Sequence, residues 1–171
     1  GKDDYFNDFP TSVNEFKIGS DNFFEIIKDS DHSHINRSIT KLVLEKIPVN
    51  SSACGFIEGT SYYDFLRPYI GGYLFLRLDI KTFYHSIPSY EVKKLLSIYF
   101  NDKKNDGEKY SPLDIAYIST VHKVSNFFDN KDLIGKEILP IGFPSSPVIS
   151  NIIFRKIDIL IQKLCEEKGI I

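Results

Sequence analysis

A chain of 171 residues is long enough to bury a core, and its net charge of −2 gives no bulk electrostatic sign of a nucleic-acid binder, so any such surface has to be local. Its 42% apolar and 26% charged residues are the balance of a globular protein. No apolar run is long enough for a bilayer span and no signal peptide is visible, so no membrane partner is expected. Two cysteines, Cys54 and Cys165, suit a reduced, cytoplasmic protein better than a disulfide scaffold. The sequence begins at Gly1, lacks methionine and stops at Gly169-Ile170-Ile171 as a fresh apolar stretch begins, which reads as a fragment of a longer protein.

In chain order, residues 1–19 read as an irregular lead-in, and Asp21 as the cap of a short helix to Asp29. Asp29 to His34 is turn-like, with His32 and His34 solvated. A helix is predicted from Asn36 to Lys46, where Ile39, Leu42 and Val43 recur at helical spacing, and Pro48 ends it. Thr60 or Ser61 can cap a helix to Tyr69. Gly71-Gly72 then turns the chain into a strand over Tyr73–Ile80.

Pro88 opens a helix to Phe100, Asn101–Tyr110 is a charged loop, and Ser111-Pro112 start a helix through Phe128. Glu137–Pro140 is a short extended piece. Ser146 and Pro147 cap and start the final helix, which carries a buried stripe of Ile149, Ile153, Ile157, Leu160 and Leu164 and stops at Gly169. His85 and His122 read as surface or helix histidines.

The strand over Tyr73–Ile80 organises the rest. Leu74, Leu76, Leu78 and Ile80 fall on one face, to be buried, while Arg77 and Asp79 fall on the other. Asp79 is then a carboxylate on a rigid element facing a wet cleft, where a hard cation such as magnesium can be held. Taken alone, a carboxylate in that position is more often a turn or helix-approach capping residue than a metal ligand.

Its neighbours sharpen the reading. The run Leu76-Arg77-Leu78-Asp79-Ile80-Lys81-Thr82-Phe83-Tyr84-His85-Ser86-Ile87, followed later by Leu139-Pro140-Ile141-Gly142-Phe143-Pro144-Ser145-Ser146-Pro147-Val148-Ile149-Ser150-Asn151, resembles the reverse transcriptase family in its bacterial branch. Cys54-Gly55-Phe56, with Gly59 and Ser61, resembles the stretch that precedes the first catalytic motif.

The resemblance implies an α+β, mostly helical fold: the fingers and first part of the palm of a right-hand polymerase, with a small antiparallel sheet. Fingers would comprise 1–60 and 88–145. The palm would comprise 61–87, with the first catalytic motif, and a helix over 146–171. It implies Asp79 as the first catalytic aspartate, binding Mg2+ together with the backbone carbonyl of Ile80.

Tyr84 matches the aromatic that excludes a ribose 2′-hydroxyl, and Phe83 sits beside it. Ile141, Gly142 and Ser146 belong to the segment under the incoming nucleotide, and a glycine there admits close backbone approach. Implied partners are an RNA or DNA template with primer and deoxynucleoside triphosphates, and a homo-oligomer is an allowed state.

The departures are specific. Ile141 stands where the family has a glutamine that contacts the incoming sugar. The Tyr-x-Asp-Asp motif does not occur, and one carboxylate does not hold two magnesium ions, so these residues alone are expected to be inactive. The Lys-x-x-Gly-x-x-Arg fingers hairpin is not seen, with Arg37 its nearest basic substitute. Phe65–Tyr69 lacks the Asn-Ala-x-x-His of retron-type enzymes, which points towards abortive-infection or other phage-defence members. The alternative is a degenerate, non-catalytic module of polymerase ancestry that binds nucleic acid or a protein partner.

Overall fold

The computed structural model describes residues 13–19, 21–125 and 131–170, an α+β arrangement in which helices outweigh two small antiparallel sheets. The first sheet corrects the expectation of a lead-in followed by a helix. β1 (Val13–Ile18) and β2 (Asp21–Ile26) pair from Val13↔Ile26 to Ile18↔Asp21. The physical reason is a period of two: Phe24 and Ile26 point inward while Phe23 and Glu25 alternate with them. On the outer face Phe16 and Phe23, cross-strand partners, stack at 6.0 Å.

α1 spans Asp31–Leu42, and Ser30 caps it by accepting from the Ser33 amide at 3.1 Å. That cap pulls the helix start ahead of the expected Asn36 and takes His32 into the core, where a solvated turn was expected. A 3-10 turn at Leu44–Lys46 leads to Pro48. α2 (Tyr62–Leu66) begins at Ser61 with a reciprocal Ser61–Asp64 capping box, as the sequence suggested, and a 3-10 turn over Arg67–Tyr69 follows it.

The stretch Tyr73–Ile80 is not a strand of either sheet, which corrects the central strand expectation. A strand needs a ladder partner, and β1–β2 and β3–β4 pair only with each other. Its leucines are accordingly exposed rather than buried: Leu74 by 94%, Leu76 by 84% and Leu78 by 82%.

α3 is a single turn, Phe83–Ser86, and α4 is Ser89–Leu96 behind Pro88. α5 (Pro112–Thr120) has a Ser111–Asp114 capping box and stops well short of Phe128, which lies outside the described residues. It ends where Val121 turns extended, and β3 (His122–Lys123) pairs with β4 (Glu137–Ile138). α6 (Ser145–Lys168) ends at Gly169 in a left-handed conformation, the stop the sequence predicted.

Only the first half of α6 is buried. Ile149 is fully enclosed, whereas Ile157, Leu160 and Leu164 are exposed, so the continuous buried stripe is not formed.

Two apolar clusters make the core. One gathers Leu44, Val92, Leu96, Ala116, Leu139 and Ile149 from α1 to α6, and the other holds Phe24 and Ile26 against Val124, Ile138 and Phe143. A buried polar hub fixes where α6 begins. The Asn36 amide donates to the Ser119 carbonyl and to Ser145 Oγ, both at 2.8 Å, joining α1, the end of α5 and the start of α6. His32 Nε2 donates to that same Ser119 carbonyl at 2.9 Å.

Candidate functional site

Three pieces of chain converge on a groove of about 300 Å³. Leu78, Asp79 and Ile80 come from the 73–80 segment, and Phe83 from α3. Asn151, Phe154 and Asp158 come from α6, with Ala53 closing one end. The three α6 residues recur at helical spacing and therefore share one face.

The chain turns sharply between the 73–80 segment and α3. Thr82 holds a left-handed φ of 51° and its hydroxyl bonds the Lys81 carbonyl at 2.8 Å. Phe83 meets Phe154 edge-on at 5.2 Å, fixing α3 to α6. Across the groove, the Asn151 amide donates to the Gly55 carbonyl at 2.8 Å and Asn50 to Gln162 at 3.2 Å, strapping the 50–55 loop to α6.

Asp79 is exposed at the rim of this groove, not enclosed among aliphatics. Ile80 lies beside it. Of the paired aromatics, Phe83 lines the groove; Tyr84 is half-buried, packed on the core, and burial raises its phenol above the ordinary value. Asp158 shares the groove, and burial raises its carboxyl too. Among the described residues no three or more Asp, Glu, His or Cys side chains gather as a metal cluster.

The 139–146 turn sits at the root of α6 and faces β2. The Phe24 amide donates to the Ile141 carbonyl at 2.8 Å. Gly142 has φ 112°, and a Cβ there would stand 2.4 Å from the Phe24 carbonyl oxygen. The close approach that requires this glycine is therefore to the chain's own strand.

Ser146 is fully buried, and its hydroxyl donates to the Pro140 carbonyl at 2.6 Å. It closes the turn from inside rather than capping α6, whose N-cap position is Pro144. Asp79, Ile80 and Phe83 thus meet in one groove, while Ile141, Gly142 and Ser146 build the turn that starts the helix forming its opposite wall.

Asn151 closes the second motif run, whereas Asp158 lies beyond it; the signal for Asp158 is the face it shares with Asn151 and Phe154, visible only once α6 is known to stand against the Asp79 segment. His122 is buried on β3 instead of lying at the surface, its Nε2 2.6 Å from Glu15 Oε1. That oxygen also accepts from the amide and hydroxyl of Ser125. His85 is half-buried edge-on to Phe24 at 5.9 Å. No described helix is long and apolar enough to cross a membrane.

No family model matches the chain. Among curated proteins, the Retron Ec86 reverse transcriptase of Escherichia coli is 25% identical over 133 residues, covering 78% of this chain and 35% of the relative. The Retron Mx162 reverse transcriptase of Myxococcus xanthus is 28% identical over 137 residues, 78% of this chain and 27% of the relative. The Retron Ec73 reverse transcriptase of Escherichia coli is 27% identical over 125 residues, 71% of this chain and 36% of the relative. The chain thus spans only about a third of the length of these proteins. In keeping with the resemblance of its motifs, the chain is similar over most of its own length to these bacterial retron reverse transcriptases.

Proposed function

We propose that this chain is the part of an RNA-directed DNA polymerase that carries the first catalytic aspartate, Asp79. The observation that carries the proposal is the groove. The Asp79 segment and the α6 face meet there, and these are the two pieces assigned to the palm, 61–87 and 146–171. Residues 1–60 and 88–145 are then fingers, with α1, α4 and α5 packed around the root of α6.

The donors fit a hard cation in part. The Asp79 carboxylate with the Ile80 carbonyl supplies oxygen ligands of the kind Mg2+ accepts when substrate phosphates complete its shell. They do not supply the second carboxylate pair that a two-ion centre needs, so nucleotidyl transfer is proposed for a longer protein carrying this chain and not for these residues alone. In such a centre the ions would offset the charge that builds on the transferring phosphoryl oxygens. The chain's own contribution is to hold one carboxylate at the rim and to wall the groove with Phe83 and Phe154.

Tyr84 keeps the motif position of the sugar gate, while Phe83 forms the groove wall beside it. Template, primer and deoxynucleoside triphosphates are the proposed partners. The test is nucleotide incorporation with magnesium by a protein of the relatives' length, comparing wild type with Asp79→Ala. Activity lost only in the variant supports the role, and unchanged activity removes it.

One observation favours a second reading, a non-catalytic module that binds nucleic acid or protein. Ile141, in place of the family's glutamine, is half-buried, and its aliphatic side chain has no group that could hydrogen-bond a sugar. Incorporation by the wild-type longer protein decides between the two.

A further inference from the structure

α1, α5 and the 101–110 loop border a second cavity of about 530 Å³, which shares no lining residue with the Asp79 groove. Its floor is apolar: Ile35 and Ile39 from α1, Phe100, and Pro112 and Ile115 from the start of α5. Ile35, Phe100 and Ile115 are only half-buried, so the core beneath leaves apolar surface open here. The loop that forms one rim is pinned. The Leu113 amide donates to the Asn101 carbonyl at 3.0 Å, and Asn105 Nδ2 donates to Glu108 Oε2 at 2.9 Å.

The rim is acidic. Asp31 and Glu108 line it, both exposed, and among the described residues no lysine or arginine does so; His34 is the remaining titratable group of the lining. Neither carboxylate has an ion pair among the described residues. The loop as a whole is balanced, with Lys103, Lys104 and Lys109 against Asp102, Asp106 and Glu108. Two of those lysines act elsewhere: Lys104 helps to lower the Asp114 carboxyl, and Lys109 lies over the Tyr110 ring at 5.3 Å. The stretches outside the described residues do not reverse the sign, since 1–12 carries Asp3, Asp4 and Asp8 against Lys2, and 126–130 carries Asp129 alone.

We propose that this groove docks a basic amphipathic helix of a partner protein, its apolar stripe on Ile35, Phe100 and Ile115 and its lysines or arginines against Asp31 and Glu108. The α1 face from Asp31 to Ile39 runs about 12 Å, room for side chains at i, i+3 or i+4, and i+7 of such a helix. Two carboxylates without cationic partners repel phosphate, which disfavours nucleic acid and an anionic lipid surface alike. Asp31 also suits the first turn of α1 through the helix dipole, but Glu108 has no helix to serve. The site does not rest on the polymerase reading.

The experiment is fluorescence anisotropy with the 171-residue chain and three labelled peptides of about 18 residues, long enough to form a helix on binding. One is a leucine–lysine amphipathic sequence, one its leucine–glutamate counterpart, and one a serine–lysine peptide of equal charge without the apolar stripe. Only the leucine–lysine peptide should bind. Ser38 is exposed on the groove face of α1, so Ser38→Tyr fills the cavity from a position that leaves the core intact. An affinity loss of about tenfold is expected for Ser38→Tyr and of about fivefold for D31N/E108Q. E166Q/E167Q on exposed positions of α6 is the control and should bind as wild type. Circular dichroism checks that each variant folds. Absent binding of the leucine–lysine peptide overturns the proposal, and so does unchanged binding by Ser38→Tyr and D31N/E108Q. Equal affinity for the leucine–glutamate peptide, or an equal loss in the α6 control, overturns it as well, by showing unspecific apolar or acidic attraction. Sedimentation of the chain alone should show no dimer that Ser38→Tyr dissociates; such a dimer would make the occupant a second copy and overturn the assignment to a partner. Each outcome is read without nucleotide incorporation and leaves the polymerase reading as it stands.

Discussion

Gly142 lies directly on the backbone of Phe24, so close that a single added methyl carbon would stand 2.4 Å from the Phe24 carbonyl oxygen. Together with the Phe24 amide bond to Ile141, this contact seats the β1–β2 hairpin on the turn that launches α6, and hence on the helix that walls the Asp79 groove. Gly142→Ala should therefore destabilise the fold on two counts, the collision and a φ of 112° that L-residues rarely adopt. A loss of about 2–4 kcal/mol is expected in urea unfolding, against about 1 kcal/mol for Gly107→Ala, which shares a positive φ of 84° but meets nothing within 4 Å. Equal effects at both positions would show that the contact with Phe24 is not what demands glycine.

Acid should loosen the same junction. His32, His85 and His122 all have values lowered by burial, which in His122 outweighs the nearby Glu15 carboxylate. Their rings surround Phe24 and Phe143, with His32 edge-on to Phe143 at 5.4 Å and His122 at 5.2 Å from Phe24. A lowered folded-state value means that the unfolded chain takes up protons the folded one does not. Stability from these groups is fully present above 6.5 and is lost as pH falls through the lowered values. The cap carboxylates Asp64 and Asp114, held below 3.8 by their serines, matter only at lower pH. The urea midpoint should drop between pH 7.5 and pH 5, and His32→Gln should flatten that dependence. A midpoint independent of pH would refute the linkage.

Asp158 behaves in the opposite sense. Burial raises its carboxyl, so its ionised form is disfavoured in the folded protein, and its contribution worsens as pH rises through the raised value. Asp158→Asn should give a small rise in Tm at pH 7 and none at pH 3. A fall in Tm at pH 7 would mean that the ionised carboxylate has a stabilising partner in the groove.

The fold was legible where local chemistry decides it. Ser61 and Ser111 are each followed three residues later by an aspartate and both start helices with capping boxes; Gly169 ends α6. What could not be read depended on partners distant in sequence. Residues 21–26 have enough apolar side chains for either period, and only pairing with Val13–Ile18 selects the strand. Tyr73–Ile80 shows the converse, a strong strand pattern that forms no strand because neither sheet pairs with it. Asp79 could be found from its motif, whereas Asp158 becomes visible only when α6 is placed across the groove.

That unpaired segment makes its own prediction. Three exposed leucines at alternate positions outside both sheets, Leu74, Leu76 and Leu78, are an aggregation hazard, and a charge placed among them should relieve it. Leu76→Lys should lower concentration-dependent light scattering while changing unfolding free energy by no more than about 0.5 kcal/mol, since Leu76 is 84% exposed. A loss of several kcal/mol would show that the leucine face is buried after all.

The central claim concerns the carboxylate at the groove rim, and single-turnover nucleotide incorporation on a pre-bound template–primer tests it most directly. In a protein of the relatives' length with magnesium, Asp79→Asn keeps the size of the side chain and removes its charge. The account predicts that template–primer affinity holds while the incorporation rate falls by roughly a thousandfold or more. A rate within a few-fold of wild type would contradict it.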